Sequence, residues 1–481
     1  MLTTLLIVLP IAGALVVAAL PLPRAWTAGL ALLVALAEVA VWAIAAARFD
    51  FDGAGLQFSA NQEWVDSLGI SYSVGFYSFS LWLVGASVIV SAAAIGYAVW
   101  VGRDRPRAYY ALMLFLTGAV VATFAAQDLL LFYVAFEAML IPLYVLIGVW
   151  GGSRRGAATL TFVVYTMAGS LLMLASVVAF GVTQGTFSLI ESERSDQTWI
   201  FLGFAVAFAI KAPLFPLHGW LPLSYREAPV EVTAVLSGVV SKTAIYGFLR
   251  IGLERFPEPA DDLAGLVLVL AAAGVVYGSV LAFRAPDLRG IVAYSSLAQM
   301  GLIVLGLFAL NGGGIAGAVL QSVNHALISC AMFLLVGMVE RRCGTGELAA
   351  LGGMARGRPV LATVVLTAGM IALAVPGSTT FAGEFLIMTG VYGQGWGYTA
   401  VVALGIVLAA MYTLRLISAI LHQRPGSAVR EDALDLRPGE LSLVLPLVAA
   451  LLVLSAYPAL VSDRAIDSRE YTAFFQPEIS P

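Results

Sequence analysis

Apolar residues along this chain gather in long runs, and the polar residues between them mark the ends of membrane-length segments. Runs long enough to span about 30 Å of hydrocarbon recur at 2–21, 25–47, 74–101, 108–125, 128–150, 157–182, 198–219, 230–253, 261–284, 288–310, 313–340, 360–390, 398–422 and 439–461. They predict an all-α polytopic membrane protein with about 14 transmembrane helices. The polar stretch from Phe49 to Ser73 reads as an extended external hairpin, and the acidic one from Thr183 to Gln197 as a second exposed connection. The first run lacks a charged leader and is followed by Arg24, so it reads as a first membrane helix rather than a cleaved signal peptide.

Composition agrees with this reading. The chain is 60% hydrophobic and 11% charged, whereas soluble domains carry about a quarter charged residues. Its basic residues are scattered over many loops at a net charge of −4, which offers nucleic acid no basic face. Cys330 and Cys343 form neither a disulfide framework nor a metal site. Loops after odd-numbered helices hold 16 arginines, and those after even-numbered helices hold six: Arg48, Arg194, Arg250, Arg255, Arg464 and Arg469. The richer side is therefore expected in the cytoplasm and both termini outside. Arg415, deep in helix 13, is expected to snorkel toward the cytoplasmic face or to pair with an acid.

Candidate chemistry concentrates between Ile200 and Arg250, which contains both lysines of the protein, Lys211 and Lys242. Each interrupts an apolar segment, and a lysine can give up its proton where an arginine cannot. Pro213, Pro216 and His218 follow Lys211, so helix 7 is predicted to break there. Exposed backbone polar groups are tolerated in a membrane only around a cavity or against other polar groups. Helix 12 has the same combination in AVPGSTTFAGEFLIM, with Pro376, Gly377 and Gly383 beside Glu384. Helices 7 and 12 are five apart and cross in opposite directions, so a repeat relating them must be inverted.

Glu137 lies nine residues after Asp128, about 14 Å into helix 5. A lone charge there costs roughly 2.5–3.5 kcal/mol, so a partner is expected, with Lys211 the leading candidate. A purely structural ion pair is the alternative. Lys242 and His325 both fall near the middle of their helices. A single buried histidine is commonly a satisfied core residue, but acids and bases on helices 5, 7, 8, 11 and 12 together would provide successive proton-holding stations across the membrane plane. His218 either serves the cytoplasmic mouth of such a path or caps the broken helix. Glu38 and Glu340 read as structural. No Gly-rich nucleotide loop, CxxC pair or activated nucleophile is found.

The runs FYVAFEAMLIPLYVLIGVWG, FAIKAPLFPLHGWLP, REAP, AYSSLAQMG, NHALISCAMFLLVG and PG followed by AGEFL resemble, in order, the antiporter-like proton-channel subunits of respiratory complex I, NADH:quinone oxidoreductase. Mrp-type sodium/proton antiporters and membrane-bound hydrogenases are relatives of these. The resemblance implies two inverted five-helix repeats, helices 4–8 (108–253) and 9–13 (254–422), after an N-terminal part (1–107) and before helix 14 with a C-terminal tail (423–481). It implies proton translocation by Glu137, Lys211, His218, Lys242, His325 and Glu384. Glu384 stands where the L and N types have lysine, which favours the M type. Leu223, Ser224 and Tyr225 depart from the Asp-Ala-His or Lys-Ala-His common in the family, so the proton entrance there is expected to be lined differently. The resemblance further implies a bacterial inner (plasma) membrane location and L-type and N-type neighbouring subunits. This chain is then expected to carry no cofactor, no metal and no NADH or quinone site. The alternative is a subunit of an Mrp-type antiporter or of a hydrogenase complex.

Overall fold

The computed structural model describes residues 1–53, 55–65, 69–430 and 434–465. Arg469 and the rest of the tail lie outside them. Among the described residues, twelve helices are long and apolar enough to cross a membrane. We label the spans α1 (Leu2–Ala19), α2 (Arg24–Arg48), α3 (Ser78–Val101), α4 (Pro106–Ala125), α5 (Leu129–Trp150), α6 (Arg155–Gln184), α7, α8 (Val230–Leu253), α9 (Ala264–Arg284), α10 (Leu288–Leu307), α11 (Gly312–Cys343), α12, α13 (Trp396–Leu421) and α14 (Pro438–Ala456). The two left without a range are the broken ones. Span α7 consists of α7a (Thr198–Lys211) and, beyond a nine-residue bend, α7b (Leu221–Glu227). Span α12 consists of α12a (Pro359–Ala372) and α12b (Thr379–Val391).

The predicted hairpin is present as β1 (Gln57–Val65) and β2 (Ile70–Phe76), paired antiparallel from Gln57↔Phe76 to Val65↔Ile70. Strand β2 takes residues through Phe76, so α3 starts at Ser78 rather than at 74.

Contacts between loops give the topology. The connections after α3, α5, α7, α9 and α11 all line one polar cavity of about 690 Å³, through Arg103, Ser153, Ala228, Asp287 and Thr345, and Arg226, Arg289 and Arg341 join them from the adjoining helix ends. Connections after even spans meet at the opposite end. There the Gln127 N–H donates to Ser73 O on the hairpin, Leu189 N–H to Gln127 O, and Ser195 N–H to Arg255 O, each at 2.8 Å. Thr3 bonds the hairpin at Phe58 O (2.8 Å) and Arg464 lies over the Phe51 ring. Residues 3 and 464 therefore share the hairpin end, opposite the arginine-lined cavity.

Burial separates the spans by role. The most apolar windows of α8 and α11 are buried along their whole length, whereas only 22% of the window in α2 is buried. Helices enclosed by protein can hold polar side chains that a lipid-facing helix cannot. Both lysine-bearing α8 and histidine-bearing α11 are of this kind. Gly238 lets them approach closely: a Cβ there would lie 2.9 Å from Ala326 O.

The hairpin end is closed by Arg250, which is fully buried. Its guanidinium donates to Gln127 Oε1 (2.9 Å) and Leu189 O (3.2 Å) and pairs with Glu254. At the cavity end, buried Glu231 accepts two bonds from Arg103 (2.6 and 2.7 Å) and one from the Tyr109 hydroxyl. Glu340 pairs with Arg289 at 2.7 Å, the structural role expected of it. Arg415 pairs with no acid among the described residues. It donates to Phe283 O and Ala285 O, the free carbonyls at the end of α9.

Candidate functional site

The two enclosed helices bring Lys242 and His325 into direct contact. Lys242 Nζ lies against His325 Nδ1, and it donates to Ser237 O (2.8 Å) and Ser241 Oγ (3.2 Å). Exposure is 1% for the lysine and 3% for the histidine. The Ser237 carbonyl is available because α8 widens into a π turn over Leu236–Val240, with a second over Phe248–Leu253. Such turns leave a carbonyl out of the i−4 ladder and recur at functional sites. Two positive charges about 3 Å apart repel by roughly 5 kcal/mol at an effective dielectric near 20. A second positive charge on the pair is therefore costly.

At the α7 break, Lys211 is the last residue of α7a, where the negative end of the half-helix favours a cation. The break frees the Ile210 carbonyl, and the Trp220 indole N–H donates to it (2.9 Å). The Lys211 ammonium sits over the Phe136 ring at 4.7 Å. Phe136, whose ring holds the Lys211 ammonium, directly precedes Glu137, yet no ion pair within 4 Å joins Glu137 and Lys211 among the described residues. Glu137 instead accepts from the Ser170 hydroxyl of α6. The expected partnership is thus looser than a salt bridge. His218 lies apart from these groups, packed on Phe215 and Tyr277, with its Nδ1 unpaired.

Glu384 is in the second turn of α12b, 1% exposed. One carboxylate oxygen accepts from Gln299 Nε2 (2.9 Å) and the other has no partner. Gln299 Oε1 in turn accepts from Gln321 (2.7 Å), and Asn324 ties this network to the α12 break by donating to Thr379 O (2.8 Å). A cavity of about 40 Å³ is lined by His325, Ser329, Gln299, Gln321 and Tyr412, among others. That is room for water with several polar partners. One small cavity, walled mostly by apolar side chains, thus adjoins both His325 and the amide that holds Glu384.

A profile for the family described as NADH:quinone oxidoreductase/Mrp antiporter, transmembrane, matches residues 126–411, which contain every group described above from Glu137 to Glu384. The chain belongs to this family. It is 35% identical over 438 residues to NADH-quinone oxidoreductase subunit M of Rhodobacter capsulatus, covering 87% of this chain and 84% of the relative. It is 33% identical to NAD(P)H-quinone oxidoreductase chain 4 of a Synechococcus strain, over 96% of this chain and 90% of the relative. Among solved structures, a chain of respiratory complex I from Thermus thermophilus superposes with a TM-score of 0.90 at 30% identity, covering 99% of this chain and 100% of that one. A chain of the Mrp complex from Dietzia shares the fold, with a TM-score of 0.86 at 21% identity over 99% and 97% of the two chains.

Within this family member, several groups joined to the site were not singled out from sequence. Gln299, Gln321, Ser237 and Ser329 are neutral polar residues of kinds that ordinary membrane helices also carry. Only their convergence in space distinguishes them. Glu231 gave a signal, an acid at the start of the run that carries Lys242, but it belongs to the ion pair with Arg103.

Proposed function

We infer that this chain is a proton-translocating subunit, of the M type, in an NADH:quinone oxidoreductase. Electron transfer takes place in partner subunits. The buried Lys242–His325 pair, sharing one small cavity with the amide that holds Glu384, is the observation that carries this reading. A proton on the pair has a route toward Glu384, while Lys211 and Glu137 set the charge at the other end. In this reading Lys211 is a switchable site whose charge Glu137 holds. Lys242–His325 is the central station, Glu384 the outlet, and His218 lies toward the mouth. Moving a proton against 100 mV costs about 2.3 kcal/mol, less than half the roughly 5 kcal/mol repulsion of a doubly charged pair. A second proton reaching the pair therefore brings more than the energy of one such step.

The arginine-lined end then faces the cytoplasm of a bacterium and the hairpin end faces outward. The spans α4–α8 and α9–α13 form inverted repeats that place the two broken helices symmetrically, with L-type and N-type subunits as neighbours. An Mrp-type antiporter subunit shares the fold, but the relatives at 33–35% identity are quinone oxidoreductase subunits.

Lys242→Arg tests the central station. It preserves charge but cannot release a proton. The variant complex is expected to assemble and to take up protons poorly in inverted vesicles given NADH. A wild-type rate per assembled complex would reduce Lys242 to a fixed charge and remove the reading.

A further inference from the structure

Beneath the arginine-lined cavity, three helices carry a hydroxyl at the same depth. Ser237 is seven residues inside Val230, Ser296 seven inside Arg289, and Ser329 eight inside Gly337, all three reference residues lining the cavity. At 1.5 Å per residue each serine lies about 10–12 Å below the cavity floor. They bond to one another, Ser237 to Ser296 at 2.9 Å and Ser237 to Ser329 at 2.7 Å. Buried serines in helices usually bond back to their own backbone, as Ser87, Ser241 and Ser322 do here. These three instead join α8, α10 and α11.

The cluster has an inner and an outer end. Inward, the Ser237 carbonyl holds Lys242 Nζ, and Ser329 lines the cavity shared with His325. Outward, the Tyr225 hydroxyl reaches toward Ser237 and Ser296 yet completes no hydrogen bond. Tyr225 is fully buried, its ring against Trp220 and Phe333, and the next residue, Arg226, lines the arginine-rich cavity. A buried hydroxyl beside a hydroxyl cluster and, among the described residues, without a completed hydrogen bond calls for an explanation beyond ring packing.

We propose that Tyr225, Ser296, Ser237 and Ser329 form a hydroxyl relay that delivers protons from the arginine-lined cavity straight to the Lys242–His325 pair, an inlet separate from the Lys211 end. At each oxygen one O–H bond forms to the proton arriving from the outer side and one breaks as its own proton passes inward. A hydronium in the arginine-lined cavity supplies the first proton, the Lys242–His325 pair takes the last through the cavity that Ser329 and His325 share, and the net change is the transfer of one proton. Tyr225 is enclosed in this conformation, which is the closed state of the inlet. The proposal rests on the central station assigned above.

Tyr225→Phe removes only the unpaired hydroxyl and keeps the ring packing. Ser237→Ala cuts the cluster at its centre. Both would be measured in inverted vesicles containing equal amounts of assembled complex, with Lys242→Arg alongside. Each is expected to lower the rate of proton uptake about a hundredfold, the low end of the scale for losing one proton-transfer partner, and to change its solvent deuterium isotope effect. Wild-type uptake and isotope effect in Tyr225→Phe, with uptake lost in Lys242→Arg, would discard the inlet alone. Normal uptake in Lys242→Arg would discard the central station and the inlet together. Fewer assembled complexes, each pumping fully, would make Tyr225 and Ser237 packing residues and overturn the relay.

Discussion

Lys211 and Glu137 show how a single side chain can hold a charge in a membrane without being locked in place. The lysine has the end of α7a and the Phe136 face to favour its cation, but among the described residues no carboxylate within salt-bridge distance. A tight ion pair would fix the proton, whereas this looser arrangement lets a small movement of Glu137 alter it. Glu137→Gln can still accept from Ser170 but carries no charge, so the subunit should assemble. The rate of proton uptake is expected to fall about a hundredfold, the low end of the scale for losing a proton-transfer group. Normal uptake by correctly assembled Glu137→Gln complex would mean that Glu137 is structural. At this scale the sequence was informative wherever a charge interrupts an apolar run, because burying one is costly enough to demand a reason. It was silent on pairing: nothing in the chain states that Lys242 meets His325 rather than Glu384, since that depends on which helices adjoin.

Elements differ in how openly their irregularities are written. The breaks in α7 and α12 were legible because two prolines three residues apart, Pro213 and Pro216, and a Pro-Gly pair, Pro376 and Gly377, weaken a helix far more than the single Pro10 of α1 or Pro446 of α14, which their helices absorb. The interruption of α5 at Met139, two residues after Glu137, was legible in principle from Pro142, which leaves the Ala138 carbonyl without its ladder donor. The π turns of α8 were not, since they arise from packing and carry no proline. Gly238 lies inside the first of these turns and marks the closest approach of α8 to α11. A branched side chain there has no room against the Ala326 carbonyl, so Gly238→Val should push the two helices apart. Lys242 would then lose His325 while remaining buried. The expected result is a subunit that still inserts, with proton uptake reduced to the level of Lys242→Arg. A Gly238→Val complex pumping at the wild-type rate would show that the direct contact is dispensable.

At the scale of the whole molecule, alternation is the feature best legible in sequence, because run length and arginine placement suffice for it. The structure gathers the loops after α3, α5, α7, α9 and α11 at one cavity and those after α4, α6 and α8 at the hairpin, as the count of runs requires. What sequence could not give is that these arginines converge on one polar space leading toward α8, α10 and α11, because each belongs to a different loop or helix end. Which end faces the cytoplasm is testable through two exposed positions, Ser153 beside the arginine-lined cavity and Glu63 on β1. Of the native cysteines, Cys330 is fully buried and Cys343 is partly exposed near the arginine-rich end, so Cys343→Ser provides a quiet background. A membrane-impermeant maleimide should then label Ser153→Cys in inverted vesicles and not in right-side-out ones, and Glu63→Cys in the reverse pattern. The opposite pattern would place the arginine-lined cavity outside. Because the positive-inside rule acts on loops during insertion and the relay acts on protons afterwards, such an inversion would leave the stations in place and reverse only the direction in which they are filled.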